Sequence, residues 1–294
     1  MGDRAAIVTG ASRGIGRAVA LELAAGGTAV VINGRAEDAV RDTVAAIESA
    51  GGRAVGVAGS AAAPGVAEAL LAAALDEFGD VDALVNCAGI AEPGGSSILS
   101  VTDEQWHELL DAHLTGTFRT CRTVAPHLVA RGGGAIVNTS SFAFLGDYGG
   151  TGYPAGKGAV NGLTLAIAAE LREHGVRANA VCPGARTRLS TGDEYERQIE
   201  QLHSRGLLDD VSYRGSLDPA PPEYVARLYA YLADERSEGI TGEILAGSGC
   251  FIGRFPRPQP RLLAWRDHHT DPPWTIAEIA EFVDAPAGQR RGSA

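Results

Sequence analysis

Two kinds of hydrophobic pattern alternate along the chain. Short, nearly continuous apolar runs rich in valine and isoleucine are separated by longer helical stretches rich in alanine and leucine. The short runs predict strands at Ala5–Thr9, Ala29–Asn33, Arg53–Ala58, Ala83–Asn86, Ala135–Thr139, Arg177–Cys182 and Glu243–Ala246. The longer stretches predict helices at Gly14–Ala25, Ala36–Ala50, Gly65–Phe78, Thr102–Ala130, Tyr153–His174 and Pro222–Ala233. The strands are apolar without a period of two, the pattern of strands covered on both faces. Repeated β-α-β units need right-handed crossovers. The expected product is an α/β fold, a doubly wound parallel sheet of about seven strands with helices on both faces.

Two segments depart from this rhythm. Residues 188–222 are long and charged and end in Pro219-Ala220-Pro221-Pro222. A long insertion before the last helix reads as a substrate lid. Residues 254–294 carry Pro256, Pro258, Pro260, Pro272 and Pro273 together with Trp265 and Trp274, and read as a C-terminal extension that docks on the body or on a neighbouring subunit. Its end, Pro286–Ala294, is expected to be disordered. The organisation is thus one catalytic domain, 1–253, followed by an extension.

Composition narrows the class. The chain has 294 residues, 45% of them hydrophobic, and a net charge of −11. That balance disfavours nucleic acid or an anionic membrane surface as the main partner. No apolar run is long enough to span a bilayer, and no leader pattern precedes the first strand, so a cytoplasmic location is expected. Cys87, Cys121, Cys182 and Cys250 are scattered and are read as reduced thiols, with no metal site. Of the 25 lysine and arginine residues, one alone is lysine, Lys157. A chain that has drifted to arginine elsewhere has a reason to retain one lysine.

The first strand runs into Thr9-Gly10-Ala11-Ser12-Arg13-Gly14-Ile15-Gly16 and then directly into a helix. Glycines there allow a tight turn and close backbone approach, and the helix N-terminus offers N–H groups to a diphosphate. The second strand ends Asn33-Gly34-Arg35, with glycine where an NAD-binding fold places an acid for the ribose 2′-hydroxyl. Arg13 and Arg35 suit a 2′-phosphate, so NADP(H) is favoured over NAD(H).

Tyr153 and Lys157 stand at i and i+4 of one helix and share a face. An ammonium beside a phenol is expected to lower its pKa from about 10. Such a tyrosine gives a proton to a carbonyl or takes one from an alcohol.

In order, Thr9–Gly16, Asn86-Cys87-Ala88-Gly89, Ser140-Ser141, Tyr153-Pro-Ala-Gly-Lys157 and Pro183-Gly184 resemble the motifs of the classical short-chain dehydrogenases/reductases, from about Ala5 to Gly253. The resemblance implies NAD(P)-dependent hydride transfer on a Rossmann-like sheet, in a homo-oligomer, dimer or tetramer. It implies Ser141, Tyr153 and Lys157 as the catalytic set, with His113 where the family usually has asparagine. Ser140 is the alternative serine, from counting back from Tyr153. His113 is either a packed helix residue or a relay member. Cofactor contacts are implied for Gly10, Ser12, Arg13, Gly14, Ile15, Gly16, Arg35, Ser60, Asn86, Ala88, Gly89, Tyr153, Lys157, Pro183, Gly184 and Thr187. Phe142, Phe144, Leu145, Tyr148 and Leu189 are expected to wall the substrate pocket.

The chain departs from the family at His113, at Ser60 in place of an aspartate, at Cys87, and at the early Thr187. His113, Pro222–Val225 and Gly247–Gly253 are similar to the hydroxyacyl-CoA dehydrogenase branch of multifunctional β-oxidation enzymes. The favoured reading is an NADPH-dependent reductase of an acyl, polyketide or other secondary-metabolite ketone. The alternatives are an oxidising hydroxyacyl or steroid-type dehydrogenase, and a non-enzymatic dinucleotide sensor or scaffold.

Overall fold

The computed structural model describes residues 4–284 apart from 149 and 189. Leu189 and the expected disordered end therefore lie outside the described residues. The strands are β1 (Ala5–Thr9), β2 (Ala29–Gly34), β3 (Ala54–Ala58), β4 (Ala83–Asn86), β5 (Gly134–Thr139), β6 (Val176–Gly184), β7 (Ile244–Ser248) and β8 (Phe251–Phe255). They form one sheet in the order β3-β2-β1-β4-β5-β6-β7-β8. The first seven are parallel, as the pattern predicts, and β8 turns back antiparallel on β7. β8 was not expected. Its sequence follows a glycine-rich run that reads as a turn, and that turn is a hairpin, with Gly249 at φ +55°.

The helices are α1 (Gly14–Ala25), α2 (Glu37–Ser49), α3 (Val66–Phe78), α4 (Asp103–Leu110), α5 (Gly116–Ala130), α6 (Gly152–Glu170), α7 (Asp193–Ser204), α8 (Asp210–Leu217), α9 (Pro222–Ala233) and α10 (Ile276–Asp284). Successive strand residues point to opposite faces. Val8, Ile32 and Val85 pack under Val19 and Leu23 of α1, Val40 and Ile47 of α2, and Tyr229 and Leu232 of α9. Ile7, Val31, Leu84 and Ile136 pack on the other face under Leu70 of α3, Val124 and Leu128 of α5, and Ile167 of α6.

The long helix expected over Thr102–Ala130 is interrupted. Between α4 and α5 the backbone widens into a π turn, Asp111–Thr115, which contains His113. The segment expected as a lid folds into α7 and α8, whose Ile199, Leu202 and Leu208 form a small core of their own. All four cysteines are free. Among the described residues no helix is long and apolar enough to cross a membrane.

The chain divides into two compact units, Met1–Phe255 and Pro256–Ala294. Within the second, the Arg266 guanidinium stacks 3.7 Å from the Trp274 ring centre and bonds Glu278 of α10 at 2.8 Å.

Leu128 is fully buried between α5 and the sheet. Leu128→Ala is expected to lower the free energy of unfolding by about 2–5 kcal/mol in urea titration, with the slope unchanged.

Candidate active site

Strand order reverses between β1 and β4, which opens a crevice at the carboxyl ends of these strands. The loop after β1 is built to keep that crevice clear. Gly10 has φ +64°, and a Cβ there would lie 2.7 Å from the backbone of Ala88. A Cβ at Gly16 would collide with the Gly10 carbonyl. Over Gly14, the first residue of α1, the nearest atom to a Cβ would be Thr187 Cγ2 at 3.7 Å. Arg13 occupies the N-cap position without a side-chain cap, and the first turn of α1 has no acidic residue. The loop and the N–H groups of that turn are therefore suited to an anion. Ser12 and Ile15 belong to the same turn.

Three guanidiniums converge beside it. Burial and then repulsion from Arg188 and Arg35 push the Arg13 pKa down. No carboxylate pairs with any of the three among the described residues. At Gly34 a Cβ would lie 2.6 Å from Ser12 Oγ, so an acidic side chain has no room there. Arg188 was not singled out in the sequence; its signal is a cation next to Thr187, but only the fold brings it to Arg13.

The Asn86 side chain is engaged within the fold. Its Nδ2 donates to Asn138 Oδ1 at 2.9 Å, and its Oδ1 accepts from Thr120 Oγ1 at 2.8 Å. These bonds tie β4, β5 and α5 together in a buried polar ladder, which uses the amide fully. Ala88 N donates to Thr9 Oγ1 at 3.3 Å, which holds Ala88 and Gly89 beside the loop after β1. Ser60, just beyond β3, accepts from Ala62 N at 3.3 Å. Pro183 and Gly184 end β6, and Thr187 N donates to Ser190 Oγ at 2.9 Å.

Ser141, Tyr153 and Lys157 come together between the end of β5 and the start of α6. Lys157 is 3% exposed, and its Nζ donates to the Thr139 carbonyl at 2.8 Å. The same Nζ lies 5.6 Å from the Tyr153 ring centre. Burial pushes the ammonium pKa down to about 8, and the nearby thiols of Cys87 and Cys182 oppose that shift. Tyr153 also differs from expectation. Burial raises the phenol, and a hydrogen bond with Ser141 pulls it partly back. Desolvation is the largest influence on the phenol and sets the direction of its shift. Ser140 is turned the other way, its hydroxyl donating to the Lys157 carbonyl at 3.4 Å. Thr139 in turn shares a 2.9 Å hydrogen bond with the buried Tyr229 hydroxyl.

His113 lies edge-on to Tyr153, ring centres 4.8 Å apart. Its Nε2 is 3.0 Å from the Ile90 carbonyl. A carbonyl only accepts, so Nε2 carries the proton and Nδ1 is left as a lone pair. Nδ1 is buried without a partner. Burial, then the Lys157 charge, hold the imidazole well below its ordinary pKa, so it stays neutral. The π turn places the ring here, a common use of such turns.

The expected pocket wall is divided. Phe142 and Phe144 pack edge-on against Phe255 of β8, at 5.8 and 5.1 Å. Leu145 is half exposed. Tyr148 instead packs on Ile199, Leu202 and Leu208 of the α7–α8 segment. Phe255 was missed because β8 was missed. Glu92 was also missed. It reaches the first turn of α6 from the loop after β4, a contact no local pattern announces.

A Ser–Tyr–Lys cluster built on a buried lysine, beside a phosphate-type loop on a doubly wound sheet, defines a dinucleotide-dependent oxidoreductase. Comparison with known proteins agrees. The profile of the short chain dehydrogenase family matches residues 4–196. The chain is 39% identical over 254 residues to the short-chain reductase protein NovJ of Streptomyces niveus, covering 84% of this chain and 93% of that one. It is 36% identical over 258 residues to a hydroxyacyl-CoA dehydrogenase of Mycobacterium tuberculosis, covering 83% and 77%. It also resembles the crystal structure of a short chain dehydrogenase from Mycobacterium avium, with a TM-score of 0.78, 31% identity, and 99% and 97% of the two chains covered. The chain belongs to the short-chain dehydrogenase family. It is an oxidoreductase of the CH–OH/C=O class.

The depressed lysine makes a stability prediction. Lys157 is lowered from 10.5 to about 8, so the unfolded chain binds the proton more tightly. Burying the ammonium costs on the order of 3 kcal/mol, a cost present in full below the folded value and relieved as pH rises toward the unfolded one. Lys157→Met is therefore expected to raise Tm at pH 7, and the gap to wild type is expected to shrink between pH 8 and 10.5.

Proposed function

We propose that the chain is an NADPH-dependent ketone reductase in which Tyr153 is the general acid. The observation that carries this reading is the gathering of Tyr153, Ser141 and the buried Lys157. The raised pKa of Tyr153 keeps the phenol protonated near neutrality, the form that gives a proton to a carbonyl. Ser141 would hold the carbonyl oxygen. Lys157 would hold a ribose hydroxyl and stabilise the tyrosinate as the proton leaves. The neutral His113, packed edge-on to Tyr153, would hold the phenol ring in position. The guanidiniums of Arg13, Arg35 and Arg188 and the lack of room for an acid at Gly34 fit a 2′-phosphate. The open face over Gly14 fits a diphosphate. The chemistry supplied by bound NADP(H) is the hydride.

Ketone specificity would come from Phe142, Phe144 and Phe255 on one side and from the lid formed by α7 and α8. The likeness to NovJ supports reduction as the physiological direction. The likeness to a hydroxyacyl-CoA dehydrogenase supports a second reading, oxidation of a hydroxyacyl thioester by the same residues in reverse. The four unpaired thiols suit a cytoplasmic enzyme. A homo-oligomer paired through α5 and α6 would cover Phe118, which is exposed on α5.

The test is consumption of NADPH or NADH with a panel of 3-oxoacyl thioesters and cyclic ketones. NADPH is expected to be preferred, and Arg35→Ala is expected to weaken NADPH binding about tenfold or more while leaving NADH unchanged. Tyr153→Phe is expected to lower kcat by about 100- to 10,000-fold. Reduction is expected to fall as pH rises through about 8, where Lys157 loses its charge while Tyr153 is still a phenol. Preference for NADH, or full activity of Tyr153→Phe, overturns the assignment.

A further inference from the structure

The start of α6 presents an accounting problem that one side chain solves. A helix begins with backbone donors that have no partner in its own first turn. Local sequence usually supplies one, but Thr151 at the N-cap makes no side-chain cap. The donors of Thr151 and Gly152 bond Glu92 Oε1 at 3.2 and 3.3 Å, and Tyr153 N donates to Glu92 Oε2. The next residue, Pro154, has no N–H. Ala155 N then opens the regular ladder by bonding the Thr151 carbonyl at 3.2 Å. Every donor of the first turn is thus satisfied, and each one outside the ladder goes to a single carboxylate. Ser96 Oγ donates to Oε1 at 2.7 Å and holds the rotamer. At Gly150, with φ +77°, a Cβ would lie 2.8 Å from Glu92, so that glycine makes room for the side chain.

The segment that carries Glu92 follows directly from Asn86–Gly89. Its Ile90 carbonyl binds His113, and its Gly94 lies against Glu194 of α7. One short loop therefore touches the imidazole, the first turn of α6 and the α7–α8 segment. The turn it caps contains Tyr153.

We propose that Glu92 is a positioning residue: its carboxylate holds the first turn of α6, and with it the Tyr153 hydroxyl, in place against Ser141. This rests on the reading of Tyr153 as the proton donor. Charge and geometry both contribute. A carboxylate at a helix N-terminus is favoured by the positive end of the dipole. Two oxygens can serve donors that one amide oxygen serves less well.

The test uses the full chain with Glu92→Ala and Glu92→Gln. Amide hydrogen exchange read over residues 151–157 is expected to show lost protection in Glu92→Ala and partial protection in Glu92→Gln, with the later turns of α6 unchanged. The Tyr153 phenol carbon, assigned with Tyr153→Phe in ¹³C-tyrosine protein, is expected to titrate above about 10 in wild type and to fall toward that value in Glu92→Ala. With acetoacetyl-CoA as probe, kcat is expected to fall about 100-fold in Glu92→Ala, at unchanged NADPH affinity, with Glu92→Gln in between. First-turn protection that survives Glu92→Ala overturns the proposal. So does lost protection with an unmoved Tyr153 titration, because the cap would then hold the helix and not the phenol. A wild type that reduces no ketone or thioester overturns the reductase reading alone, since exchange and titration need neither substrate nor cofactor.

Discussion

One ammonium must keep its charge in a place that disfavours charge, and the site is arranged around that demand. Lys157 is enclosed by α6, the end of β5 and the thiols of Cys87 and Cys182, and its Nζ donates to the Thr139 carbonyl at 2.8 Å. Thr139 is the last residue of β5, so the charge is anchored to the sheet and not to a loop. Tyr229 on α9 bonds the Thr139 hydroxyl from the other face of the sheet. The interaction thus links both layers of the fold at the point where β5 gives way to Ser140 and Ser141. The lone lysine of an arginine-rich chain is found here for a steric reason. A compact ammonium fits between a carbonyl and a phenol, whereas a planar guanidinium needs a wider, forked set of partners.

The other pole of the crevice has the opposite solution. Arg13, Arg35 and Arg188 are gathered with no carboxylate partner among the described residues, on a protein whose net charge is −11. Their mutual repulsion is a cost that an anionic ligand removes. The cationic character of this groove is local, which is why an acidic net charge is compatible with a phosphate-bearing ligand. Arg188 follows Thr187, which lies over Gly14, so the approach to α7 begins beside the anion site.

Much of this was legible in the sequence, for physical reasons. Parallel strands covered on both faces are written as continuous apolar runs, and seven of them were readable as such. The phosphate-type loop and the Tyr153–Lys157 pair are local patterns, set by turn geometry and by one helical turn. β8 was hidden because Gly249 and Gly253 break its pattern, and Phe255 was hidden with it. The π turn at His113 leaves no mark in a helical run, yet it aims the imidazole at Tyr153. Glu92 and Arg188 act across long stretches of chain, on elements whose proximity only the tertiary fold creates. The phenol pKa was misjudged because helix spacing shows the neighbouring ammonium and does not show the burial that sets the direction of the shift. The bonds of the Asn86 amide to Thr120 and Asn138 join three elements far apart in the chain, so no local pattern shows them.

The central claim is that Lys157 is a buried, charged member of the site. A protein labelled with ¹³C-lysine contains a single lysine side chain, so its resonance needs no assignment. The account predicts a titration midpoint of about 8 and a displaced resonance when NADPH is added. A midpoint at the ordinary 10.5, unmoved by NADPH, would describe an exposed lysine and contradict the account.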